Sequence, residues 1–118
     1  MSAAIHSALV DGWGMPADDL FQIFTVHAPG DLFYSRTFPP DADRSDIVFV
    51  DILAYNGYTP PGQKQHAAGL LVDRLAALGI KRDDILVSLH ENGDGDWLAP
   101  SKESAPDVSA ALASAKEA

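Results

Sequence analysis

The chain has 118 residues, no cysteine, and 17 acidic against 8 basic side chains, for a net charge of −9. That length holds one domain with one core. The charge repels phosphate, which argues against a nucleic-acid groove or an anionic membrane surface as partner. Without thiols there is no disulfide, no thiol nucleophile and no Cys-ligated zinc. No apolar run reaches the ~20 residues of a membrane span, and the first residues lack the charged-then-apolar pattern of a secretory leader. A soluble cytoplasmic protein is expected.

Ile5, Leu9 and Trp13 recur at four-residue spacing on one helical face. Gly14 supplies a stop, and Pro16 follows where a helix cannot continue. The stretch "DDLFQIFTVHA" reads as a strand covered on both faces, with Leu20, Phe24 and Val26 on one side and Phe21 and Ile23 on the other. Residues 28–45 carry Pro, Gly, Asp and Ser and read as a long loop, which in a small domain is often functional. "DIVFVDILAY" is a near-continuous apolar, β-branched run, predicting a central strand over 46–54.

"NGYTPPGQKQ" turns the chain, and Thr59 can cap a helix whose first turn tolerates Pro60 and Pro61. Ala67, Leu71, Leu75 and Leu78 form the buried stripe of that helix, and Gly79 ends it. "DDILVSLHE" predicts a strand over 85–91, followed by the turn-rich "NGDGDW". The Ala/Ser-rich stretch 101–118 has little to bury and reads as a tail to a domain spanning 1–100.

Two of these passages repeat. "GMPADDLF" and "GIKRDDIL" align at an offset of 65 residues, matching Gly14 with Gly79, Asp18 and Asp19 with Asp83 and Asp84, and Leu20 with Ile85. Each is a helix end, a glycine stop, a spacer, paired aspartates and a strand. The second copy is a full β-α-β crossover, whose strands should lie parallel with the helix across one face. The same offset puts the opening strand of the first copy before residue 1. The fold expected is therefore α/β, a duplicated β-α-β arrangement whose first strand is missing from these residues. Its apolar strands predict an oligomer.

The passages "ALVDGWGMPADDLFQI", "RSDIVFVDI", "GYTPPGQK" and "LGIKRDDILVSLHENGDGDW", in this order, resemble the tautomerase superfamily, closest to the malonate semialdehyde decarboxylase-like branch. The resemblance runs from about Ile5 to Trp97. It implies a homotrimer with a pocket near subunit interfaces, acting without a cofactor on small keto, enol or unsaturated carboxylic acids. It also implies an N-terminal proline whose secondary amine transfers protons, since an α-amine titrates near neutrality and an apolar pocket lowers its pKa further. Position 2 here is Ser, on a helix, and Pro16 is an amide without basicity. The expectation is therefore a tautomerase-like protein performing tautomerisation, or related proton-transfer or decarboxylation chemistry. The alternative is a non-catalytic oligomeric binding or assembly module of the same fold. A third possibility is a subunit whose partner supplies the missing strand and amine.

By the same resemblance Asp19 matches an acid–base carboxylate; its other reading is turn chemistry, as for Asp84. Tyr58 stands where relatives place carboxylate-gripping arginines, and a phenol supplies one hydrogen bond in place of a forked pair. Arg44, in "RSD", matches a commonly basic position and is a candidate for the substrate carboxylate, with Arg36 beside it; the alternative is a solvated surface arginine. Trp97 matches a "DW" tryptophan near the pocket or the subunit seam. His27 and His90 lie near strand ends, each a possible base or a bystander. The histidines lack metal-ligand spacing, and no metal is expected.

Overall fold

The computed structural model describes residues 1–55 and 63–100. In chain order these form α1 (Ser2–Trp13), β1 (Val48–Tyr55), α2 (Gln63–Ala77), a 3-10 turn (Arg82–Asp84) and β2 (Ile85–Asn92). β1 and β2 pair in parallel, in register from Val48 opposite Ile85 to Tyr55 opposite Asn92. The α2 crossover that joins them is the β-α-β unit read from the sequence, since parallel neighbours need such a connection.

Both helices stop as the repeat requires. Gly14 takes a left-handed φ of 76°, its N–H donating to the Val10 carbonyl and that of Met15 to Leu9. Gly79, at φ 99°, ends α2 the same way, with the Ile80 N–H reaching back to Leu75. A left-handed residue after the last turn satisfies carbonyls that would otherwise lack a donor, and glycine does so without a Cβ penalty. The turns beyond also correspond: Asp19 N–H donates to the Pro16 carbonyl at 3.0 Å and Asp84 N–H to Lys81 at 2.9 Å.

The core is one cluster. Ile5, Ala8, Leu9 and Trp13 of α1 meet Ala67, Leu71 and Leu75 of α2, and both helices rest on Val50, Ala54 and Ile85. The helices run antiparallel. Gly12 lies against Ala67, where an added Cβ would stand 2.7 Å from the Ala67 Cα. At the other end of the contact Arg74 donates to Ser7 Oγ at 2.8 Å and pairs with Asp11 at 2.9 Å. The close approach at Gly12 seats α1 on α2.

Three expectations change. Residues 20–26 form no strand, and Phe21, Ile23 and Val26 are almost fully exposed. A strand is held by its neighbour's N–H and C=O groups, and β1 has β2 as its partner, so this β-prone stretch runs unpaired. The run read as a strand buried on both sides is covered on one: Val50 and Ala54 are buried, while Phe49 and Leu53 are exposed. Arg44 is not a solvated surface arginine but is buried. The turn with Tyr58 and the Thr59 cap, and the tail 101–118, lie outside the described residues.

Candidate functional site

The topology defines two poles, one beyond each end of the parallel strands. Eight-residue strands rising ~3.3 Å per residue separate them by roughly 25 Å. Arg44 belongs to the pole at the strand starts. One of its guanidinium nitrogens donates to the Ser35 carbonyl at 2.9 Å and to the Phe38 carbonyl. Arg36 donates to the carbonyls of Arg44 and Ser45, and Tyr34 to Ser45. Arg36 and Arg44 thus fold the long loop on itself by bonding its main chain.

Asp84 completes this pole. Its carboxylate accepts the N–H groups of Ser45 at 2.7 Å and Asp46 at 3.1 Å, while Asp83 accepts that of Asp43 at 2.8 Å. Lys81 reaches Asp43 and Ser45, each at 3.1 Å. Burial pushes the Asp84 carboxyl upward, but the two backbone donors, with the positive charges of Lys81 and Arg44, outweigh it and hold the pKa below the usual value. In the second copy, then, the aspartate is a clamp on the chain entering β1.

Trp97 lies at the opposite pole, past the end of β2, half-buried, its indole N–H donating to Asn92 Oδ1. The turn around it is closed by Gly93 N–H on Asp96 at 2.8 Å and by Tyr55 OH on Asp94 at 2.6 Å. Lys64, in the first described turn of α2, pairs with Glu91 at 3.6 Å. Asp19 follows the C-terminal end of α1, which packs on the first turns of α2 through Gly12 and Ala67. The topology thus assigns Asp19 and Trp97 to one end of the fold and Arg44 to the other. His27 is exposed on the unpaired segment.

A further polar cluster stands on the open face of the sheet, away from the helices. Asp51 of β1 and Ser88 and His90 of β2 line a hollow of about 400 Å³ together with Phe49, Val50 and Leu86. His90 Nε2 is 2.8 Å from Asp51 Oδ1 and 3.2 Å from Ser88 Oγ. Both partners meet the same ring nitrogen, whereas a nucleophilic relay uses one nitrogen for the hydroxyl and the other for the carboxylate. The cluster is an ion pair with a hydroxyl neighbour. Sequence reading reached His90 alone; the signal for its partner is Asp51, one charge inside the apolar run "IVFVDILAY". Among the described residues no three His, Asp or Glu side chains gather as a metal site. No helix among them is long and apolar enough to cross a membrane.

Against known proteins, residues 19–98 match the profile of the tautomerase enzyme family. Two Bacillus subtilis (strain 168) proteins are similar. "Probable tautomerase YusQ" is 21% identical over 97 residues, covering 82% of this chain and 76% of the relative. "Probable tautomerase YrdN" is 27% identical over 93 residues, covering 78% and 70%. Among solved structures, a malonate semialdehyde decarboxylase studied for its decarboxylase and hydratase activities superposes with a TM-score of 0.73 at 31% identity, over 86% of this chain and 78% of that one. A second, FG41 malonate semialdehyde decarboxylase inhibited by 3-bromopropiolate, gives 0.72 at 30% identity, over 81% and 72%. With the family profile spanning most of the chain and the repeated helix-stop-strand unit in place, the chain belongs to the tautomerase superfamily, on the malonate semialdehyde decarboxylase-like branch.

Proposed function

We propose that this protein works as a homotrimer on small keto or enol carboxylic acids, by tautomerisation or a related proton-transfer or decarboxylation step. The observation that carries the reading is the likeness, at 31% identity and a TM-score of 0.73, to a protein with decarboxylase and hydratase activities. The site is assigned to the pole of Trp97, with Asp19 as the acid–base carboxylate and Tyr58, from the turn after β1, as a single hydrogen-bond donor to the substrate. Arg44 is engaged by loop carbonyls at the far pole, so within one protomer it is not the carboxylate anchor. No cofactor is needed for proton transfer next to a carbonyl.

The chemistry requires a basic amine near Trp97. Ser2 begins α1, and antiparallel packing puts that end of the helix beside the last turns of α2, away from Trp97. A Ser2 amine therefore does not serve. That observation favours a second reading, a non-catalytic module that keeps the fold and assembly.

Ketonisation of an enol pyruvate, followed by ultraviolet absorbance, separates the two. The chain is assayed as it stands and with a proline-led strand fused ahead of Ser2. The enzyme reading expects the fused protein to gain roughly 10²-fold or more, the usual scale for one positioned proton-transfer group. Asp19→Asn should then remove most of that gain. No proton transfer in either protein, with assembly retained, establishes the module.

A further inference from the structure

The open face of the sheet is apolar at its margins and charged at its centre. Side chains alternate along each strand, so Phe49, Asp51 and Leu53 of β1 share this face with Leu86, Ser88 and His90 of β2. Phe49 is 52% exposed, Leu53 58% and Leu86 40%. Between them sits the Asp51–His90 pair at 2.8 Å.

We infer that this face is covered by further copies of the same chain, and that the Asp51–His90 pair makes the association proton-dependent. The inference rests on the homo-oligomer reading above and adds a regulator to it. Charge selects the occupant. The chain carries a net charge of −9, yet this face brings its own counter-charge. With His90 protonated it is neutral, so a like copy approaches without repulsion, while a basic or acidic partner finds no net charge to pair with. The apolar margins supply the area, as in interfaces between copies, which are more apolar than other surfaces.

Covering the face removes the pair from water. A carboxylate so buried beside a neutral imidazole is uncompensated, and an unpaired buried charge costs far more than a paired one. Protonated His90 restores the pair, and Ser88 Oγ, 3.2 Å from the same nitrogen, can accept part of its proton. Association thus takes up protons on His90, whose pKa must be higher in the assembly than in the separate chain. Affinity is then complete below the separate-chain value, near 6.5 for an ordinary histidine, and declines as pH rises through the higher value in the assembly. Below about pH 4 protonation of Asp51 would strand the imidazolium and weaken association again.

Neighbouring charges do not offset this sign. Glu91, next along β2, faces the helices and pairs with Lys64, and Asp94, beyond the strand end, accepts the Tyr55 hydroxyl. The helices pack on the other face of the sheet, so among the described residues Asp51 is the one titratable group placed against His90.

The test is sedimentation velocity on the whole chain from pH 5.5 to 8.5, with circular dichroism confirming that each protein stays folded. Wild type should associate at least threefold more weakly per protomer at pH 8 than at pH 6, within the limit of about tenfold per pH unit for one proton. Asp51→Asn with His90→Leu should assemble with no such slope. A wild-type assembly equally strong at both pH values overturns the role of the pair while leaving the oligomer intact. A wild-type monomer at every pH overturns the oligomer reading itself, and the inference with it.

Discussion

Asp84 shows how one side chain fixes a chain path. Its carboxylate takes the two N–H groups that lead into β1, so removing its charge loosens the start of the sheet. Asp84→Asn should lower the urea midpoint at pH 7. The folded-state pKa is depressed, so the group's contribution is complete above the ordinary aspartate value of about 3.9 and lost as pH falls through the lower folded value. The gap between wild type and variant should therefore close towards roughly pH 3, as denaturation curves across that range would show. Nothing in the sequence separates Asp84 from Asp19 or Asp83, because its partners are main-chain groups from residues far along the chain. Arg44 was illegible for the same reason. Its sequence context resembles a ligand-binding position, whereas its hydrogen bonds go to carbonyls, which every residue carries.

At the scale of elements, two glycines in helices should respond oppositely to the same change. Gly12 faces Ala67 at the helix crossing, and a methyl there meets backbone. Gly69, in α2, has nothing within 4 Å of an added Cβ. Gly69→Ala should stabilise by about 0.5–1 kcal/mol through helix propensity. Gly12→Ala should destabilise by about 1–3 kcal/mol, overpacking outweighing propensity. Urea denaturation of both variants measures the two signs. The helices and the β1–β2 pair were legible because apolar spacing and glycine stops are local signals. Residues 20–26 were misread because a strand is a property of two segments. Phe21, Ile23 and Val26 supply β propensity, but the main-chain partner decides whether a ladder forms.

For the whole molecule, the open sheet face carries the weight of the assembly reading. Leu53→Glu places a second carboxylate on the same face of β1 as Asp51, two residues away, and should abolish association at every pH while leaving the helix-side core intact. Light scattering after size exclusion checks the mass, and circular dichroism the fold. That one face of β1 is open was not readable from "DIVFVDILAY", since a continuous apolar run looks the same whether a helix or another subunit covers its second side.

The ties of the long loop have a mechanical consequence. Tyr34, Arg36 and Asp43 to Asp46 are fastened to one another or to Lys81, Asp83 and Asp84. The later half of the loop therefore travels with the sheet, and the slack lies before it, around Gly30 and the exposed Phe33. A protease cutting at Phe33 would leave two pieces joined by side-chain packing alone: one holding α1, the other both strands and α2. Their grip on each other would be the antiparallel seam from Gly12 to Arg74.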